Sequence, residues 1–138
     1  MGKFEGYFFN QNSNKKIRTD LTPEEDLDWQ VTLDNCFIAY NKIFNYALKD
    51  EGKSKGFKEN LGYTKENGFE FIKEISSQLK TLNSNDLQEI SSIEQGRRFQ
   101  SFIYLRGNRP EDKKIKILIG WIKRHKENVL SLTTIHFD

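Results

Sequence analysis

Residues 98–121, with the sequence RFQSFIYLRGNRPEDKKIKILIGW, decide the fold class because two sets of side chains alternate along most of this stretch. A period of two is typical of β-strands that bury one face. The polar turn at residues 107–112 separates two strands, and residues 129–137 read as a third strand after another polar turn. The sequence therefore predicts a three-stranded antiparallel meander. One of the two alternating sets is Phe99, Ser101, Ile103, Leu105, Ile115, Ile117, Ile119 and Trp121.

Upstream of this meander the pattern becomes helical. Thr22 is predicted to cap a helix that begins at Pro23, and Asn67 is predicted to open a longer amphipathic helix. Shorter elements are also predicted: helices over 41–48 and from Ser54, and strands over 3–9 and 36–40. Because helices must cover one face of the sheet, we predict a single α+β domain over residues 1–138, with N-terminal helices packed on a C-terminal antiparallel meander.

Composition limits the class of protein. The chain has 138 residues, of which 36% are hydrophobic, enough for one packed core. No apolar run approaches the roughly 18 residues of a membrane span. The start also lacks a secretory signal, so we expect a cytoplasmic site of action and no membrane partner. The single cysteine, Cys36, excludes an intrachain disulfide, and its apolar neighbours indicate a buried thiol.

Charge is distributed unevenly along the chain, although the net charge is only +2. Residues 1–50 and 51–95 each hold six Lys/Arg against eight Asp/Glu, whereas residues 96–138 hold ten against four. The basic C-terminal third indicates an anionic partner, and a solvated sheet surface is the alternative explanation.

Most signatures of catalytic sites are absent from the sequence. It contains no phosphate-binding loop, no GxGxxG and no HExxH, and its only histidines are His125 and His136. The sequence therefore predicts no cofactor and no metal site.

The basic meander carries the groups that a metal-independent ribonuclease needs. Such an enzyme uses a base for the ribose 2′-OH, an acid for the leaving 5′ oxygen, and cations for the phosphoryl oxygens. We predict that Arg98 clamps a phosphate and that His136 or an adjacent group transfers protons. The lysines also suit an exposed edge strand, and the threonines suit any strand. The full set of predicted positions on the three strands is Arg97, Arg98, Gln100, Tyr104, Lys114, Lys116, Thr133, Thr134 and His136.

Several short motifs support a family resemblance. They are Tyr46-Ala47-Leu48, Gly52-Lys53-Ser54-Lys55-Gly56-Phe57, Leu61-Gly62-Tyr63, Gly96-Arg97-Arg98-Phe99, Gly120-Trp121-Ile122 and Leu132-Thr133-Thr134-Ile135. In this order they resemble an uncharacterised C-terminal domain family of filamentous-haemagglutinin-like and contact-dependent growth inhibition toxins of bacteria. The resemblance covers residues 42–138, and residues 1–41 form an extension that is atypical of the family.

The resemblance implies a compact toxin domain in which helices precede an antiparallel sheet, as in the barnase, colicin and RelE-like ribonucleases. It also implies functional roles for Lys55, Arg98, Thr133 and Thr134, of which Lys55 is added by the resemblance alone.

Three functional hypotheses follow. The leading one is a toxin-like domain that binds RNA, with tRNA as one candidate, and cleaves it through Lys55, Arg98, Thr134 and His136. The second is a non-catalytic immunity or phage counter-defence protein that grips a protein or nucleotide partner. The third is nucleic-acid binding without turnover.

Overall fold

Six strands form one curled sheet in the computed structural model, which describes residues 5–10, 16–49, 55–107 and 113–137. The strands are β1 (Gly6–Asn10), β2 (Asn35–Ala39), β3 (Gln88–Ile93), β4 (Gly96–Arg106), β5 (Lys114–Arg124) and β6 (Leu130–Phe137). Their order across the sheet is β1-β2-β6-β5-β4-β3. Neighbouring strands are antiparallel, except that β2 and β6 run parallel. The fold is therefore α+β, as predicted.

The helices supply the apolar surface that covers one face of the sheet. They are α1 (Pro23–Asp28), α2 (Tyr40–Lys42, continuing as a π-helix over Ile43–Ala47), α3 (Lys55–Leu61) and α4 (Gly68–Leu79). On α4, Phe71, Ile75 and Leu79 recur at helical spacing and are fully buried in the same cluster as the apolar side chains of β4 and β5. The helix predicted to open at Asn67 is thus confirmed.

The alternation that predicted the meander divides its side chains between two faces. The inner face carries Phe99, Ser101, Ile103 and Leu105 of β4, with Ile117, Ile119 and Trp121 of β5, and all seven are buried. The outer face carries the even-numbered residues of β4 and β5 and is mostly exposed or half-buried. Trp121 donates its indole N–H to Ser101 Oγ at 2.9 Å, so the one polar atom of this large inner side chain is satisfied.

Two helix ends have well-defined capping geometry. Thr22 Oγ1 accepts the Glu25 N–H at 3.2 Å, and the Glu25 carboxylate accepts the Thr22 N–H at 3.0 Å, which forms a capping box. Gly62, which follows α3, has φ 73, a conformation that favours glycine. The predicted cap Ser54 and most of the turn at 107–112 lie outside the described residues.

The sheet differs from the prediction in two ways. Residues 88–93, which the sequence analysis left unassigned, form the edge strand β3; most of its side chains are exposed, so no alternation marks it. The strand at residues 35–39 pairs with β6 through Cys36 and Phe37, so the sheet draws on both ends of the chain. No helix in the described part of the chain is long and apolar enough to cross a membrane.

Candidate functional site

The three central strands carry an unusual charge composition. β4, β5 and β6 together contain seven Lys/Arg and no Asp or Glu. Because successive side chains of a strand point to opposite faces, the register assigns each cation to a face. Arg97 and Lys123, which are cross-strand partners, lie on the inner face. The remaining five lie on the outer face: Arg98, Arg106, Lys114, Lys116 and Arg124.

Both inner cations are neutralised by carboxylates from other elements. Arg97 donates two hydrogen bonds to Glu89 of β3, from Nε at 2.9 Å and from Nη2 at 2.8 Å. These bonds raise the pKa of Arg97 and lower the pKa of Glu89. Lys123, which is buried, donates from Nζ to Asp26 of α1. Burial opposes ionisation of Asp26, but the hydrogen bonds from Lys123 and from the Lys126 N–H outweigh it and lower the Asp26 pKa.

The structure therefore separates Arg97 from the other residues of the predicted site. Arg97 was expected beside Arg98 as a substrate-binding residue, but neighbours along a strand point to opposite faces. Its guanidinium is committed to Glu89, and it does not lie on the surface that carries Arg98.

The outer cations have a different environment. Arg98, Arg106 and Lys114 are exposed and Arg124 is half-buried. Within the described residues, none of these four forms an ion pair with a carboxylate. The Lys116 ammonium lies 4.3 Å from the centre of the Phe102 ring, a favourable cation–π distance. The outer face is thus a positive surface with aromatic side chains among the cations.

The middle of the outer face is formed by a glycine and two threonines. Gly120 pairs with Gln100 on one side and with Thr134 on the other. A bulge at Thr133, between the pairs Gly120–Thr134 and Trp121–Leu132, brings both threonine hydroxyls over the glycine. A Cβ placed on Gly120 would lie 2.6 Å from Thr134 Oγ1 and 3.2 Å from Thr133 Oγ1. Only glycine leaves room for both hydroxyls here.

The predicted catalytic residues on the strands do not converge on one point. His136 pairs with Leu118 and Arg98 pairs with Ile122, so they are four residues apart along the sheet and two strands apart across it. With about 3.3 Å per residue and about 4.8 Å between strands, their Cα atoms are roughly 16 Å apart. Thr134 and His136, by contrast, lie two residues apart on one strand. Arg98 and His136 therefore lie at separate places on the outer face.

A cleft of about 240 Å³ lies beside the C-terminal half of β6. Thr133, Thr134 and His136 line it from the strand, and Lys42 and Tyr46 line it from the α2 segment. The Lys42 ammonium is 5.1 Å from the centre of the Tyr46 ring. The cleft therefore combines an imidazole, a phenol, two hydroxyls and an ammonium group.

Lys55 is the first residue of α3, and its side chain is outside the described structure. Gly56 and Phe57 show where this helix begins in the fold, because both lie against Phe137. A Cβ on Gly56 would lie 2.5 Å from the Phe137 ring, and the Phe57 and Phe137 rings stack with centroids 4.8 Å apart. Lys55 therefore begins a helix that abuts the end of β6, beside the cleft that contains His136.

Four residues of this region were missed by the sequence analysis. Arg106 and Arg124 continue the twofold alternation that identified Arg98 and Lys114, and extending the pattern by one step for Arg106 and by two for Arg124 would have found them. Lys42 and Tyr46 are four residues apart on a helical segment, which places them on one side of it. No sequence signal connects that helical face to β6, which is almost ninety residues further along the chain.

The described residues provide no metal centre: among them, no group of three His, Cys, Asp or Glu side chains is arranged to hold an ion. Cys36 is fully buried, as predicted, and its Sγ contacts the Leu33 carbonyl at 3.3 Å. Burial raises the pKa of the Cys36 thiol. A thiol that stays protonated at neutral pH is not a nucleophile.

Comparison with family models, curated proteins and solved structures finds no match for this chain. The resemblance to a toxin domain family therefore stays a prediction.

Proposed function

We propose that this protein binds RNA on the outer face of its sheet and cleaves it without a metal at the cleft beside β6. The observation that carries the proposal is the outer side of β4, β5 and β6, three strands that together hold five outward cations and no Asp or Glu. Phosphate groups release counterions when Lys and Arg neutralise them, and this release drives binding. Helices pack on one face of the sheet, and these five cations lie on the other face.

The cleavage step is a transesterification that needs no co-reactant. His136 accepts the proton of the ribose 2′-OH, and the 2′ oxygen forms a bond to phosphorus. The bond from phosphorus to the 5′ oxygen breaks, and a second group of the cleft, Tyr46 or Lys42, protonates that oxygen. The products are a 2′,3′-cyclic phosphate and a 5′-hydroxyl. Arg98, about 16 Å away by strand geometry, holds a different phosphate of the same strand.

The path from the outer face to the cleft is continuous. Lys42 lines the cleft beside β6 and also an adjoining cleft of about 220 Å³ that contains Arg124 and Ser131. A strand bound along the outer cations would therefore pass Arg124 and Lys42 on its way to His136.

Two adjacent arginines provide a matched test. An unstructured, 5′-labelled RNA of ten nucleotides is titrated in EDTA at several salt concentrations. We expect Arg98→Ala to weaken binding and to lower the salt slope by about 0.7, the value for one phosphate contact on a single strand. Arg97→Ala, which alters the inner face, should leave the slope unchanged. Equal slopes for the two variants, or no binding at low salt, would overturn RNA binding on the outer face.

Cleavage is tested on the same samples by following product formation over time. We expect products that end in a 2′,3′-cyclic phosphate, and we expect His136→Ala to abolish them without changing the salt slope. A DNA strand of the same sequence should bind and stay intact because it lacks the 2′-OH. RNA that is bound but never cut would refute the catalytic half of the proposal and favour binding without turnover.

A further inference from the structure

A second cleft lies where β4 extends beyond its edge-strand neighbour. Gln88, the first residue of β3, pairs with Gln100, so β4 continues alone on this side to Arg106. A cleft of about 320 Å³ occupies the space between this free edge and the turn after α4. The residues that matter here are Asn85, Asp86, Gln88, Phe102, Tyr104 and Lys116.

One wall of this cleft is aromatic and cationic. Tyr104 is 50% exposed, and its cross-strand partner is Lys116. The Lys116 ammonium lies over the neighbouring Phe102 ring. An exposed ring on a positive sheet offers a flat surface on which any nucleobase can stack.

The opposite wall is a turn that its own side chains hold in place. The Asp86 carboxylate accepts the Asn83 N–H through Oδ2 at 2.9 Å, and Asn83 Oδ1 accepts the Asn85 N–H at 2.9 Å. The first of these bonds anchors one carboxylate oxygen of Asp86. Among the described residues, the other oxygen has no hydrogen-bond partner. Asp86 therefore brings a carboxylate acceptor to the same cleft that Phe102 and Tyr104 line.

The carboxylate decides which part of an RNA this cleft suits. Asp86 repels a phosphate but accepts N–H donors, and the nucleobases are the part of RNA that carries such donors. Guanine presents N1–H and N2–H side by side on its Watson–Crick edge, whereas adenine offers only its N6 amino group there. In a duplex this edge is paired, so only a single strand can present it.

We propose that this cleft binds one guanine of a single-stranded RNA, with the base stacked on Tyr104 and its Watson–Crick N–H groups donated to Asp86. This inference rests on the proposed RNA binding and adds a base preference to it. The site lies on the β4 edge of the outer face, on the other side of β5 from the cleft that contains His136.

The test uses labelled oligouridines of nine nucleotides in which the central base is G, A, inosine or U. We expect the strand with G to bind the wild-type protein about tenfold more tightly than the strand with A, as a good base-edge contact provides. Inosine, which lacks the 2-amino group, should fall between them. Asp86→Asn should remove the preference for G and leave affinity for the all-U strand unchanged.

Substitutions of Tyr104 test the stacking contact separately. Tyr104→Ala should weaken binding of the G strand about tenfold, within the range for loss of one base stack, and Tyr104→Phe should restore it. Phe69→Ala removes an aromatic that is 65% exposed on α4 and serves as the control, with no expected change. If G and A strands bind equally, or if Asp86→Asn keeps the preference, the guanine site is wrong and outer-face RNA binding stands. If no strand binds, both proposals fail.

Discussion

Two dipeptides show how the two faces of the sheet use the same kind of residue differently. Arg97-Arg98 on β4 and Lys123-Arg124 on β5 each place one cation on the inner face and one on the outer face. The inner members contact Glu89 and Asp26, whereas neither outer member forms an ion pair with a described carboxylate. Adjacent residues of one charge therefore have different roles: the inner cations join β3 and α1 to the sheet, and the outer cations create a positive surface.

This division separates stability from binding. Loss of an inner cation leaves a carboxylate without its partner, which costs folding free energy. Loss of Arg98, Arg106, Lys114 or Arg124 removes no ion pair with a described carboxylate, so stability should change little. The predictions below test this separation, starting with the largest expected effect.

The first prediction concerns the buried ion pair. Lys123→Met keeps the length and apolar stem of the side chain but leaves the half-buried Asp26 carboxylate without its ammonium partner. We expect the free energy of unfolding to fall by about 3 kcal/mol, the scale for breaking a buried pair. Urea unfolding at neutral pH measures this loss.

The matched control is Arg124→Met, one residue further along the strand on the outer face. We expect it to change the free energy of unfolding by no more than about 0.5 kcal/mol. The double variant with Asp26→Asn should lose less than the sum of its single changes, because the two groups interact directly. Similar losses for Lys123→Met and Arg124→Met would contradict the division between faces.

The second prediction concerns the space over Gly120 on the outer face. Gly120→Ala brings a methyl group against Thr134 Oγ1, and the threonine must rotate or move. We expect a loss of about 1 kcal/mol in the free energy of unfolding, at the low end for overpacking. Thr134→Ala in the same chain should recover part of this loss. Because no cation changes, the salt slope of RNA binding should stay at the wild-type value, and an altered slope would show that Gly120 itself contacts the strand.

The sequence predicted the parts of the fold that depend on local pattern. Alternation from Phe99 to Trp121 identified two strands, and Thr22 with Pro23 identified the start of α1. It did not predict the parallel pairing of Cys36 with Leu130, because that contact joins residues more than ninety positions apart. Edge strand β3 was missed for a different reason: most of its side chains are exposed, so burial imposes no period on them.

The sequence also predicted only part of the candidate site. Arg98, Gln100, Tyr104, Lys114 and Lys116 share the outer face, as their even spacing implied. Arg97 was predicted with them, but the same alternation places it on the inner face. The cleft beside β6 depends on Lys42 and Tyr46, which only the tertiary fold brings to His136.

The third prediction has the smallest effect and tests the inner face through pH. The hydrogen bonds from Arg97 lower the pKa of Glu89 in the folded protein, so ionised Glu89 stabilises the fold above its unfolded pKa of about 4.3 and loses this contribution as pH falls. Both side chains are partly exposed, so Glu89→Gln should cost only about 0.5 kcal/mol at pH 7, as exposed pairs do. At pH 3 the variant and the wild type should unfold at nearly the same urea concentration.

Glu89→Gln also tests whether an inner cation can bind RNA once it is released from its carboxylate. Glu89→Gln raises the net charge by one and releases the Arg97 guanidinium from its carboxylate. If charge alone governed RNA binding, the salt slope would steepen by about 0.7, as for one new phosphate contact on a single strand. We expect no such change, because Arg97 lies on the inner face and cannot join a strand that is bound to Arg98. A steeper slope would mean that RNA reaches around the β3 edge, and the division of cations between faces would no longer explain which of them bind.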